Sequence, residues 1–179
     1  MFLNIITPCS RPQNLNKVSE SIMSIPRERY RWIVVFDADS VPENIPTNCE
    51  AYAIRVENST VGHGQRNYAI GMITDGWVYF NDDDTEIHPD LWENIKDLNH
   101  DIIHFMQNEK DGSLRLSGEN VQLYQIDSHN FLVKSDIIGE ERWIIDRYNA
   151  DGLFAEKMYA KAHTKLYIPK VLSIYNSLR

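Results

Sequence analysis

Two cysteines, Cys9 and Cys49, are all that the 179-residue chain contains, too few for a disulfide framework and without the spacing of a metal-thiolate site. Both are expected as free thiols. Long apolar runs are missing too: none approaches the roughly 20 residues that cross a bilayer, and Met1 leads into Phe2-Leu3-Asn4-Ile5-Ile6 with no basic flank or small-residue cleavage site. A cytoplasmic protein with no transmembrane segment is the expectation. Positive charge is scarce. Lys and Arg number 18 against 26 Asp and Glu, a formal net charge of -8, which leaves no broad basic face for nucleic acid. No internal repeat, low-complexity tract or linker interrupts the chain. With 42% hydrophobic residues it can bury one compact core, so residues 1–179 read as a single domain.

What the chain does have is a carboxylate triplet. Trp77 to Phe80 is a run of strand formers, and Asp82, Asp83 and Asp84 follow almost at once. A short apolar run suits a strand buried on both faces of a parallel sheet, and ligands in such sheets bind beyond the carboxyl ends of the strands. Three adjacent carboxylates repel one another, and a hard divalent cation, Mg2+ or Mn2+, relieves this through oxygen ligands. The triplet reads either as a metal site that handles phosphate or as a solvated acidic loop capping the next helix.

Strands alternate with helices before the triplet. Phe2 to Thr7 reads as a strand, Pro8 to Pro12 as a turn and Gln13 to Ser24 as a helix. Arg31 to Phe36 gives a second strand ending at Asp37, Ala51 to Val56 a third, and Gln65 to Ile73 a helix carrying Arg66. This order signals a parallel sheet with crossover connections. Beyond it, His88-Pro89-Asp90 opens a helix with Leu91, Trp92, Ile95 and Leu98 at helical spacing. Asp101 to Met106 and Leu114 to Leu116 form a hairpin about Asp111-Gly112. Val121 to Ile126 and Asn130 to Val133 read as strands, Asp151 to Ala162 as a helix, and Leu166 to Ile168 with Val171 to Tyr175 as strands around Pro169. The fold class is α/β, a mixed central sheet flanked by helices.

On this scaffold Thr7, Arg11, Asp37, the triplet and Asp151 can all face one crevice. An activated sugar nucleotide needs contacts to its base, charge cover for its diphosphate and a general base for the acceptor hydroxyl. These residue types match those needs.

The chain resembles glycosyltransferases of the Rossmann-like GT-A fold. Thr7-Pro8 before Arg11-Pro12, Trp32 to Val35 leading to Asp37-Ala38, Gln65-Arg66-Asn67 at a helix start, and Val78-Tyr79-Phe80 before the triplet follow the order and approximate spacing of β-1,3-glucuronosyltransferases. It also resembles family 2 glycosyltransferases, in which an Arg-Asn helix precedes the aspartate motif. The likeness covers residues 1–95, taken as the nucleotide-sugar half of the domain, with 96–179 as the acceptor-side half. It implies that Thr7, Pro8 and Arg11 form the nucleotide loop, that Asp37 contacts uracil, and that Arg66 lies near the diphosphate or ribose. Asp83 would point towards the ribose, Asp84 would be the principal metal ligand, and Asp82 a ligand through water or a supporting group. Asn149 to Phe154 resembles the segment carrying the catalytic base, which makes Asp151 the candidate. Two departures stand out: Ala150 occupies a position where family 2 members usually carry a second acid, and a late histidine of the glucuronosyltransferases is replaced near Tyr175-Asn176.

The implied activity is metal-dependent, inverting transfer of a sugar from a nucleotide-diphosphate donor, a UDP-sugar, to a glycan or other hydroxyl acceptor. One alternative is a sugar nucleotidyltransferase, against which the first loop lacks a glycine-rich, basic triphosphate signature. Another is a catalytically inactive module of the same fold that binds a glycan or protein. Each residue also has a plainer role. Thr7 could end a strand, Arg11 pair with a surface acid, Asp37 close an Asx turn, Arg66 pack helix on sheet, and Asp151 cap its helix. Glu140 and Glu141 are reserve candidates for the base. His63 sits in a loop that could cover the donor, His129 reads as structural, and Trp143 as packing or as a stacking surface for an acceptor sugar.

Overall fold

In the computed structural model, which describes residues 1–179, strand β1 (Leu3–Cys9) is buried along its whole length. Parallel neighbours explain why. Strand β2 (Tyr30–Asp37) pairs with it from Leu3 opposite Tyr30 to Cys9 opposite Phe36, and β4 (Trp77–Phe80) flanks its other edge from Leu3 to Ile6. Strand β3 (Glu50–Ile54) adds outside β2. The second half contributes β5 (Ile102–Asn108), β6 (Leu114–Leu116), β7 (Phe131–Lys134) and β8 (Lys165–Ile174). The order is β3-β2-β1-β4-β7-β5-β6, with β8 parallel to β5. Strands β7 and β6 run antiparallel to their neighbours, so the sheet is mixed as expected.

Alternation of side chains divides the core into two layers. Leu3, Ile5, Trp32, Val34 and Phe36 face one side, where helices α1 (Leu15–Ile22) and α3 (Leu91–Ile95) pack. Ile6, Ile33, Val35, Val78 and Phe80 face the other, under α2 (His63–Ile70), α4 (Ser135–Ile138) and α5 (Ala150–Lys161). The chain lays down β1, β2 and β3 in one direction and then places β4 on the opposite edge of β1. That reversal opens a crevice at the carboxyl ends of β1 and β4, where α/β sheets bind ligands.

Three expected boundaries move. Strand β1 continues through Pro8 and Cys9 rather than turning at Pro8. The carbonyls of Phe2 and Ile6 accept bonds from Trp77 and Asn81 on the β4 side, so Pro8, in phase with them, faces beyond the end of β4 and its missing N–H costs no ladder bond. Val121 to Ile126 forms no strand. The Gln125 N–H donates to the Gln122 carbonyl at 2.9 Å and the Leu123 N–H to Glu156 Oε1 at 2.7 Å, closing a turn instead. The two strands expected around Pro169 are one, β8, because a register shift between Phe105 and Met106 accommodates the proline.

Candidate active site

Asp83 ties the two central strands together at their ends. It is buried, and one of its oxygens accepts from the backbone N–H groups of Ser10 and Arg11, each at 2.6 Å, while the other meets Arg11 Nη1 at 2.6 Å. Both oxygens thereby hold the loop after β1. Asp83 and Asp84 are buried and Asp82 is half-buried, and all three border cavities at the ends of these strands. A smaller one of about 290 Å³ is bounded by Pro8, Arg11, Asp37 and Gln65, with Asp84 at its edge. A larger one of about 350 Å³ lies among Arg66, Asp127, His129 and Asp151. Asp82, Val61 and Arg179 line both, so the two cavities meet at the triplet.

Guanidinium groups pair with the carboxylates of the triplet, and one imidazole stands beside Asp82. Arg66 is buried at the start of α2, donates to Asp82 Oδ1 through Nη2 and to the Val61 carbonyl through Nη1 at 2.7 Å, and lies over the Trp143 ring. On the other side His129 Nε2 stands 3.1 Å from Asp82 Oδ2. Burial alone would raise the Asp82 pKa, but Arg66 and His129 outweigh it and hold the carboxyl far below its usual range. His129 moves the opposite way: burial would lower it, and Asp82 with Asp127 more than reverses that, so its pKa is raised. Asp84 accepts from Arg179 Nε at 2.5 Å and from Arg11 Nη1 at 3.1 Å. The Asp84 backbone carbonyl accepts from the Leu178 N–H at 2.9 Å.

Asp151 lies in the first turn of α5, its Oδ1 accepting from the Gly152 N–H at 2.8 Å, and Asn149 rather than Asp151 occupies the N-cap position. Burial, reinforced by the charge of Asp127, raises its pKa to about 6. A carboxylate so placed is a competent proton acceptor near neutral pH. Asp127 lines the same cavity. Asp127 is fixed by Arg115 Nη1 at 2.6 Å, and Arg115 in turn lies 3.6 Å from the centroid of the Tyr175 ring.

Thr7 does not reach either cavity. It is fully buried and its hydroxyl accepts from the Trp32 indole N–H at 2.9 Å, so its place is in the core between β1 and β2. Asp37, exposed at the end of β2, and Pro8 and Arg11 are brought together in the smaller cavity. Trp143 is buried against Phe154, with ring centroids 4.7 Å apart, and meets Phe80 edge-on at 4.9 Å; it packs and offers no open face. Glu140 and Glu141 line neither cavity, and Glu141 pairs with Lys157 at 3.1 Å. His63 belongs to α2 rather than to a loop. Burial and the neighbouring Arg66 lower its pKa to about 4, which leaves it neutral, with Nδ1 3.1 Å from Arg66 Nη1. Both cysteines are free. Asp127 lies in the stretch Ile126 to Phe131, which resembles the family's acceptor-side segment, whereas nothing near Arg115 and Arg179 in the sequence marks their long-range partners.

A family model described as glycosyl transferase family 2 matches residues 5–125, which span the parallel half of the sheet, the triplet and the hairpin beyond. The chain belongs to glycosyl transferase family 2. Of the two resemblances read from the sequence, this family is the one that matches, and the mixed sheet is that of GT-A glycosyltransferases. Solved structures agree on the fold. S. aureus TarS 1-349 aligns with a TM-score of 0.79 at 14% identity, covering 97% of this chain and 60% of that one. The same TarS fragment in complex with UDP-GlcNAc aligns at 0.72 and 15%, covering 97% and 58%. Mannosyltransferase PcManGT from Pyrobaculum calidifontis, in complex with GDP-Man and Mn2+, aligns at 0.70 and 13%, covering 97% and 56%. The chain therefore spans less than two thirds of each of these structures. No curated protein matches its sequence. No helix is long and apolar enough to cross a membrane.

Proposed function

We propose that this family 2 chain transfers a sugar from a nucleotide-diphosphate donor to a hydroxyl acceptor, with inversion, using Asp151 as general base. The observation that carries the reading is Asp151 itself, a carboxylate with a pKa of about 6 set across one cavity from Asp82. In this reading the smaller cavity takes the nucleotide. Pro8 forms its wall, Asp37 accepts from a ring N–H of the base, and Arg11 covers the diphosphate; Asp83 holds the loop that carries Pro8 and Arg11 in position. The larger cavity takes the sugar and acceptor. Residues 1–95 would then serve chiefly the donor and 96–179 the acceptor, within one transferase unit.

Divalent metal use is part of the proposal. No three His, Cys, Asp or Glu side chains converge as a ready-made cation site. Asp82 and Asp84 nevertheless border the smaller cavity together, and Mg2+-type ions are held by one or two carboxylates and completed by substrate phosphates. That donor set fits Mn2+ or Mg2+ bound together with a diphosphate, and Asp82 and Asp84 would hold it. Bound there, the ion neutralises charge on the departing diphosphate. The protein's own groups do the rest: Arg66 and His129 fix Asp82, and Arg11 and Arg179 meet the phosphate oxygens. The acceptor oxygen bonds to the anomeric carbon as the bond from that carbon to the diphosphate oxygen breaks, and the acceptor proton passes to Asp151. In-line attack of this kind inverts the anomeric centre.

The donor is proposed to be a UDP-sugar, in line with the UDP-GlcNAc held by one TarS structure, while the GDP-Man of the mannosyltransferase makes guanosine the comparison to run. Purified protein incubated with UDP- and GDP-sugars, with Mn2+ or with chelator, tests this. Release of UDP that needs the ion and falls at least a hundredfold in Asp151→Asn is expected. Release of pyrophosphate from a sugar phosphate and nucleoside triphosphate would instead establish a nucleotidyltransferase. No nucleotide release under any condition would leave a binding module.

A further inference from the structure

Two tyrosines stand almost wholly in solvent at the mouth of the larger cavity, Tyr124 at 76% exposure and Tyr148 at 80%. Neither gains from burial, so packing does not account for their positions. Tyr124 also adopts a left-handed backbone, φ 67°, a conformation that favours glycine. The turn that holds it there is anchored to the helix of the candidate base. Leu123 N–H donates to Glu156 on α5, and a Cβ at Gly152, next to Asp151, would lie 2.8 Å from Leu123 Cδ1. Tyr148 precedes Asp151 by three residues on another segment, and the Asn149 amide reaches the Tyr124 hydroxyl at 3.5 Å. Both tyrosines thus sit on segments that lead into or pack against α5, the helix carrying the residue that would receive the acceptor proton.

The charges around them narrow the ligand. Arg66 and Arg115, the guanidinium groups deepest in this cavity, are paired with Asp82 and Asp127, and Arg179, paired with Asp84, is on the transferase reading a donor-phosphate contact. No free cation remains to receive an anionic acceptor. The geometry points to a subsite for a neutral saccharide, its C–H faces stacked on Tyr124 and Tyr148 and a hydroxyl presented to Asp151. This rests on the transferase reading above for the direction of chemistry, but the binding itself does not.

Saturation-transfer NMR with methyl glycosides and β-linked disaccharides of glucose, galactose and N-acetylglucosamine tests the subsite, with glucose 6-phosphate as the anionic comparison. Wild type is compared with a Tyr124→Ala, Tyr148→Ala double variant and with the corresponding double phenylalanine variant, and each is also titrated with UDP and GDP in Mn2+. Transfer to ring C–H protons is expected in wild type and the phenylalanine variant. Affinity should weaken on the order of tenfold in the alanine variant, the loss of stacking surface, with nucleotide affinity equal in all three. Unchanged saccharide signals in the alanine variant, loss in the phenylalanine variant, a preference for the phosphorylated sugar, or no signal from any saccharide would each overturn the proposal. Tyrosine-dependent saccharide signals with no nucleotide binding in wild type would uphold the subsite and sink the transferase reading.

Discussion

Replacing Asp151 by Asn should make the protein more stable at neutral pH while disabling it. The carboxyl has a folded-state pKa of about 6 against an ordinary value of 3.8, chiefly through burial and then through Asp127. Below pH 4 both folded and unfolded forms hold the proton, and the group is neutral in stability terms. Between about pH 4 and pH 6 the folded form holds the proton more tightly, so stability falls as pH rises. Above pH 6 the penalty is complete, about 3 kcal/mol for a shift of this size. Asn is close in shape and its carbonyl can still accept from the Gly152 N–H, so the substitution removes the penalty without opening a cavity. Urea unfolding should show Asp151→Asn more stable by up to about 3 kcal/mol at pH 7.5, with the gain vanishing near pH 4. Transfer should fall by a factor of about 100 to 10,000 at every pH, and wild-type kcat/KM should decline on the acid side with an apparent pKa of about 6. A variant no more stable than wild type at pH 7.5, or equally stabilised at pH 4, would refute the reasoning.

Other substitutions separate support from chemistry. Thr7→Val leaves the Trp32 indole N–H without its partner and should cost about 1–3 kcal/mol in denaturant unfolding, with no change in donor KM, since Thr7 lies in the core. Asp83→Ala frees the backbone N–H groups of Ser10 and Arg11, so donor KM should rise tenfold or more as the loop loosens, measured by steady-state kinetics against donor concentration. Phe80→Ala empties the space between Phe131, Trp143 and Phe154 and should cost roughly 3–5 kcal/mol in the same unfolding assay.

The acids of the smaller cavity were legible because they sit directly after the strands that position them. Asp37 ends β2 and Asp82 to Asp84 follow β4, so a reading of strand ends finds them without knowing the fold. Thr7 was misplaced for a local reason: a proline normally stops a strand, and only the early end of β4 lets β1 run on through Pro8. Val121 to Ile126 has the composition of a strand, yet Val121 and Ile126 reach the core from the two ends of a turn. The larger cavity was less legible because its ion-pair partners are far apart in the chain. Arg115 meets Asp127 across 12 residues and Arg179 meets Asp84 across 95 residues, pairings that no local spacing records. His129 looked structural as a lone histidine before a strand, and only the fold sets it between Asp82 and Asp127. The triplet read either as a cation site or as an acidic loop; arginines pair with all three of its carboxylates, and on the proposed reading any bound ion is a companion of the donor rather than a resident of the fold.

The most direct test of that claim is calorimetric titration of UDP and GDP into wild type and Asp84→Ala, each with Mn2+ and with chelator. Binding of one nucleotide that requires Mn2+ and disappears in Asp84→Ala is the predicted result, placing ion and diphosphate together at the triplet. Equal affinity with and without Mn2+, undiminished in Asp84→Ala, would contradict it and return the triplet to a purely structural, arginine-bound loop.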